Sequence, residues 1–192
     1  MTAKKINIKN LHLAEITESP EGVITYGTPE HIPDMMEAGR NPQVASGQLY
    51  GDGKVSHNTS KKNAYEVTLA HNKIPSKWRR IMEGTTVVDG VESGASGDEP
   101  KPIAVGWEVE KTGGESELIW FLYGKANPFQ ETVRQSEENI NYSTDNIAMT
   151  FTENDTLNRF YTLIDTEDAD ITPEMVENFF KKVQINDVIA AM

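Results

Sequence analysis

Residues 102–123, PIAVGWEVEKTGGESELIWFLY, decide the fold. In the first half Ile103, Val105, Trp107 and Val109 alternate with Ala104, Gly106, Glu108 and Glu110, the period of two that a strand shows when one face is buried. The second half, Leu118 to Tyr123, is apolar on both faces and predicts an interior strand covered on both sides. A polar turn centred on Gly113-Gly114 joins the two. The stretch therefore reads as a β-hairpin at the centre of a sheet.

Upstream, Ile6 to Thr17 alternates more weakly, with Leu11 and Leu13 set against His12 and Ala14, so residues 1–17 read as an N-terminal arm or edge strand. Ser19-Pro20-Glu21-Gly22 is a turn signal, and Val23 to Tyr26 resumes an extended run. Over 27–62 the pattern dissolves. Pro29, Pro33 and Pro42 break it, Gly39, Gly47, Gly51 and Gly53 loosen it, and only Val44 to Tyr50 reads as a short strand. Loops beyond roughly 15 residues are functional or disordered, so this segment is expected to need a partner to order it. Tyr65, Val67 and Leu69 then alternate with Glu66, Thr68 and Ala70 in another one-sided strand.

The period changes at Ile74, Trp78, Ile81 and Met82, which fall at helical spacing with Pro75 and Ser76 suited to the first turn and Gly84 to the stop. Residues 84–102, rich in Gly, Ser, Asp and Glu, read as a mobile surface loop, and 124–145 as a second long polar stretch. Ile147, Met149 and Phe151 alternate with Ala148, Thr150 and Thr152, and after a turn at Glu153-Asn154-Asp155 the run Phe160 to Ile164 reads as the partner strand. Thr172 fits a helix N-cap and Pro173 the first helical position. Met175, Val176, Phe179, Phe180 and Val183 form one apolar stripe, giving a C-terminal helix and tail over 172–192. Seven or so strands and two short helices make a mainly-β sandwich or barrel, a single domain over 1–192. Trp78, Trp107, Trp120, Phe179 and Phe180 are its expected core anchors.

The 192 residues carry 18 basic and 30 acidic side chains, a formal charge of −12. Such a chain is ill suited to gripping nucleic acid, where affinity comes from Lys and Arg displacing counterions. It suits a surface to which DNA must not stick. There are no cysteines, hence neither disulfides nor thiolate metal sites. The amino terminus, MTAKKINIKN, has no apolar h-region, and no run approaches the ~18 apolar residues of a membrane span. The expectation is a soluble protein made in a cytoplasm.

Catalytic patterns fail on inspection. Gly51-Asp52-Gly53-Lys54 has Gln48 where a phosphate loop needs its first glycine and Val55 where it needs Ser or Thr. A calcium loop begun at Asp168 would place Pro173 at the glycine position and Phe179 at the bidentate glutamate. Asp165, Glu167, Asp168 and Asp170 instead read as a solvated turn ahead of a helix. His12, His31, His57 and His71 lack paired ligand spacing, and Gly94-Ala95-Ser96-Gly97-Asp98 is no nucleophile elbow. No catalytic residue, cofactor or metal is expected, and the protein is read as no enzyme. One pattern survives across strands. Opposite the apolar face stand Glu66 and Thr68, Glu108 and Glu110, and Thr150 and Thr152. An ordinary solvated sheet face explains them; a shared polar wall on a water-filled lumen explains them too, if copies assemble in a ring.

The chain resembles the major tail proteins of long, non-contractile-tailed bacteriophages. The resemblance is carried by Ile24-Thr25-Tyr26-Gly27-Thr28-Pro29, Glu37-Ala38 and the run Val44 to Gly53. It continues through Pro102 to Trp107, Ile119 to Lys125, Pro128, Glu131-Thr132 to Ile140, and Asn178 to Val183. It implies a virion protein: six copies close into a ring, inner sheets join into one barrel, and stacked rings form a tail tube that conducts DNA at ejection without sequence-specific binding. Its implied partners are further copies, the tape measure, the tail terminator and baseplate-side proteins, with no membrane. On this reading 27–62 is an inter-subunit loop, with Gly39, Pro42, Gly47, Leu49, Tyr50, Gly51 and Gly53 as assembly residues, and the six polar-face residues line the lumen. Residues 84–102 are longer and richer in Gly and Ser than the resemblance leads one to expect, and 186–192 extend past its closing motif. Two other readings stand beside it: a β-sandwich adhesion or carbohydrate-binding module, and a single-ring tail-completion or connector protein.

Overall fold

A computed structural model of the chain describes residues 3–51, 54–129, 144–154 and 156–185. The protein is mainly β, with 55% strand and 9% helix. In chain order run β1 (Lys5–Glu18), β2 (Ile24–Tyr26), β3 (Glu30–Ile32), β4 (Met35–Gly51), β5 (Lys54–His71), α1 (Ser76–Glu83), β6 (Thr86–Val88), β7 (Val91–Ser93), β8 (Ile103–Lys111), β9 (Ser116–Ala126), β10 (Asp145–Thr152), β11 (Tyr161–Asp165) and α2 (Pro173–Asn178). One antiparallel sheet has the order β2–β1–β8–β9–β10–β5–β4, with β3 joining β1 and β11 joining β9. β6 and β7 form a separate hairpin.

The central hairpin is β8–β9, turning at Gly113 and Gly114, whose φ of 90° and 87° lie in the left-handed region open to glycine. Ile103, Val105 and Trp107 enter a first core with Leu11, Leu13, Val67, Leu69, Met149 and Phe151. The sheet curls around this core until β1 touches β4, and α1 inserts Trp78 and Met82 into it. β9 serves both faces, as its unbroken apolar run requires. Ile119 and Phe121 join the first core, while Leu118, Trp120 and Leu122 join a second on the opposite face. Val105 pairs with Phe121 but Ile103 with Gly124. The extra residue in β9 is a bulge that shifts the alternation, so that Ala126 again faces the first core.

The second core is roofed by the C-terminal segment. Phe179 and Val183 pack on Trp120, Leu118 and Ala104, and Trp120 Nε1 donates to the Phe179 carbonyl at 2.9 Å. Gly106 permits this arrangement: a Cβ there would stand 2.7 Å from the Trp120 ring. Trp78, Trp107, Trp120 and Phe179 are buried, and Phe180 is half-buried.

Several sequence expectations are corrected. The expected arm or edge holds only for the first part of residues 5–18, which pairs with β8 alone. From Leu11 onward β1 is interior, paired with β8 on one side and with β3 and then β2 on the other. Its alternation looks weak because Leu11 and Leu13 enter the first core while Ala14 and Ile16 enter the second, with a register shift between Lys9 and His12. The 27–62 segment is not an irregular loop but β3, the whole of described β4 and the start of β5. The 84–102 segment holds the β6–β7 hairpin, turned at Asp89-Gly90 with φ of 51° and 82°, the dipeptide of a tight hairpin turn. Its Glu92 bonds Arg80 at 3.1 Å and Arg79 at 3.3 Å, which ties the hairpin to α1. β11 pairs with β9 rather than β10. The terminal helix spans only Pro173–Asn178, capped by Thr172 Oγ1 accepting from the Met175 N–H. Asp165 and Glu167 do not simply meet water, for both bind the buried ammonium of Lys111. Residues 186–192 lie outside the described residues.

Candidate assembly surfaces

The polar-face residues predicted from sequence lie on one face of the sheet, the face bearing the second core, because the odd-numbered apolar residues beside them in β5, β8 and β10 (65–69, 103–107 and 147–151) turn to the first core. They divide into two groups. Thr150 stands opposite Glu66, Thr68 opposite Ala148 and Thr152 opposite Ala64. On the far side of β5, Gly39 faces Thr68 and Asn41 faces Glu66. On this half of the face, over β10, β5 and β4, Thr68 and Thr152 are exposed and Glu66, Ala148 and Thr150 half-buried, and no residue of the second core lies there. Glu66 is held upright on it by a 3.2 Å hydrogen bond from Gln43 Nε2.

Glu108 and Glu110 belong to the other half, and they are not free charges. Lys9 Nζ lies 2.5 Å from Glu110 and 3.5 Å from Glu108. Asn7 also donates to Glu110, and Asn10 and Ser116 donate to Glu108, whose side chain is only 13% exposed. The hydrogen bond from Lys9, with that from Asn7, holds the Glu110 carboxyl below its usual range, and Glu110 in turn raises the Lys9 ammonium. No local sequence pattern signals this compensation, because Lys9 meets them only through strand pairing of β1 with β8.

The second surface is the arm formed by β4 and β5. Beyond the Pro42–Tyr65 pair the register continues to Gly51–Lys54, and every residue there whose side chain is described is exposed, bar half-buried Ala64 beside the body. Nine residues of extended strand reach about 30 Å. A register shift at Gln43/Val44 marks where the arm leaves the body. Pro42 fits because β4 is an edge strand, where a missing N–H costs no ladder bond. Of the expected assembly residues, Gly39 lies against the body and Pro42 and Gly47 lie on β4. Leu49, Tyr50 and Gly51 are paired positions near the tip, and Gly53 is outside the described residues. Residues 44–63 contain three lysines and one aspartate, so the arm is basic on an acidic chain.

Among the described residues no group of three or more His, Asp or Glu could hold a metal, and no helix is long and apolar enough to cross a membrane. No known family model matches the chain, and a comparison with curated proteins finds no match.

Proposed function

We propose that this protein is a structural subunit of a phage tail tube, whose copies join into rings, six to a ring in the family it resembles, that stack around a DNA channel. The observation that carries the reading is the β4–β5 arm. A two-stranded ribbon exposed on both faces is marginally stable alone in water, so its length makes sense when another chain covers it. Its lysines complement the acidic surface of a second copy. The outer edge of β4 has no strand partner among the described residues and offers its backbone for joining sheets between subunits. The face carrying Glu66, Thr68, Thr150 and Thr152 then meets the lumen. Small side chains and a carboxylate there repel phosphate over the ~8 Å that screening allows. Glu108 and Glu110 share the single ammonium of Lys9, so that pair contributes about one net negative charge to the field rather than two. Tape-measure, terminator and baseplate-side proteins are the further partners of such a tube.

An adhesion module has less support, since the exposed large apolar side chains among the described residues are Ile, Val and Met, none of them an aromatic platform. The test is to replace residues 44–62 by a two-residue turn. The shortened chain should fold, with unchanged near-ultraviolet circular dichroism, and sediment as a monomer at concentrations where the full chain assembles. Assembly undiminished by the deletion would refute the reading.

A further inference from the structure

Spacing along the chain pairs none of the four histidines, but strand pairing brings two of them together. His12 on β1 and His31 on β3 are direct register partners, positions whose Cβ atoms stand about 4.5–5.5 Å apart on one face of an antiparallel pair. Their ring centroids lie 5.1 Å apart. His31 is exposed and makes no side-chain hydrogen bond among the described residues. Half-buried His12 bonds through Nδ1 alone, 2.8 Å from the Asn10 carbonyl. A carbonyl only accepts, so Nδ1 carries the proton and Nε2 keeps its lone pair. Metal-binding imidazoles are held in this way, with the second nitrogen tied to a carbonyl that fixes tautomer and ring. Phe180 fixes the ring further, stacking on His12 at 4.6 Å with the planes 4° apart.

We propose that His12 and His31 form a two-imidazole site for a divalent transition-metal ion, zinc above all. Zinc sits about 2.0–2.1 Å from an imidazole nitrogen, itself about 1.2 Å from its ring centre, so two rings sharing a tetrahedral zinc have centres about 5.2 Å apart. A right-angled pair, as in a square-planar copper(II) site, would bring them to about 4.5 Å. The observed 5.1 Å matches the tetrahedral ion, and the exposed His31 ring is free to turn its nitrogen inward. Among the described residues no group of three or more ligating side chains gathers. Glu30, beside His31, pairs with first-core Leu13 and so turns to the opposite face, where it binds Lys77 at 2.7 Å. Water therefore takes the remaining positions, and the ion exchanges readily, unlike a structural zinc with four protein ligands. Bound there, it clips β3 to β1 beside the Phe180 ring and stabilises the roof of the second core. The inference stands apart from the tube reading and does not rest on it.

Calorimetric titration of the full chain with zinc chloride at neutral pH tests the site. One ion per chain should bind, and zinc at roughly 100-fold its Kd should raise Tm by about 5–10 °C. Magnesium, which takes oxygen ligands, should do neither. His31→Ala should abolish both effects of zinc while leaving the Tm in chelator unchanged, because the ring it removes is exposed. His12→Ala should abolish them too, but that ring supports Phe180 and its loss can loosen the fold, so His31→Ala decides. His57→Ala, on the arm, should change nothing. Zinc binding that survives His31→Ala, or that is lost with His57→Ala, would place the ion elsewhere and overturn the proposal, as would a full chain that binds no zinc.

Discussion

Replacing Gly106 with alanine should destabilise the protein by about 2 kcal/mol, and replacing Trp120 with phenylalanine by a similar amount, yet the double variant should lose less than the sum. Both residues lie where β8 and β9 meet the C-terminal segment. A Cβ on Gly106 would stand 2.7 Å to 2.9 Å from three atoms of the Trp120 indole, and the fully buried ring has no room to retreat beneath Phe179 and Phe180. Overpacking of this kind costs ~1–3 kcal/mol. Trp120→Phe deletes the Nε1 donor and strands the Phe179 carbonyl, at ~1–3 kcal/mol for an unsatisfied buried acceptor. Phenylalanine is smaller, so it relieves the clash with the methyl group that Gly106→Ala introduces, and the pair should be non-additive by about 1 kcal/mol. For a chain of this size 1 kcal/mol corresponds to about 2–4 °C in Tm, so each single variant should melt about 4–8 °C lower. Thermal and urea unfolding of the four proteins closes the cycle. A neutral Gly106→Ala, or strict additivity, would show that the ring does not lie across this glycine.

Three other outcomes follow from the same geometry. Phe179→Ala should cost ~3–5 kcal/mol and Phe180→Ala less, as Phe180 is only half-buried; equal, near-neutral unfolding curves would refute the roofing of the second core. Glu92, Glu110 and Glu167 have folded pKa values lowered by hydrogen bonds, from Thr85 and Arg80, from Lys9, and from the Ala3 N–H and Lys111 respectively. Their stabilisation is therefore complete above the unfolded value of about 4.3 and is lost as pH falls through the lower folded values. Tm should hold from pH 7 to about 5 and drop below about 4, with the acid midpoint moving to higher pH in Lys111→Gln; a drop already complete at pH 5 would contradict this. Glu66→Lys should leave tubes assembling but slow DNA ejection, most at low salt. Glu110→Lys should instead lower stability, because it faces Lys9; the reverse pattern would place the lumen on the other half of the sheet.

How much could be read beforehand depended on whether a segment buried its side chains on one face. The 103–109 and 147–151 alternations, the doubly apolar run at 118–122, and α1 with its Gly84 stop are all one-core or two-core patterns, and they stand where the sequence put them. β1 was harder because its apolar residues divide between two cores on either side of a register shift. Of the arm only the Val44 to Tyr50 strand was legible, and the rest was not for the opposite reason: exposed on both faces, it has no apolar alternation to find, and the Gly and Pro that normally break strands are tolerated at an edge. Asp89-Gly90 was a readable hairpin signal hidden in a run of loop-like composition. The candidate face was legible strand by strand, since alternation assigns Glu66, Thr68, Thr150 and Thr152 to the side away from the core. Which of its carboxylates stay free was not, because Lys9 reaches Glu108 and Glu110 across some hundred residues of chain.

The central claim is that copies of this chain build an open-ended tube, and electron microscopy of the purified, concentrated protein in negative stain tests it most directly. The account predicts stacked rings with a stain-filled channel, lengthening with protein concentration and absent when the 44–62 arm is removed. Isolated single rings that never stack would point to a connector, and particles that remain monomeric or trimeric at every concentration would contradict the tube.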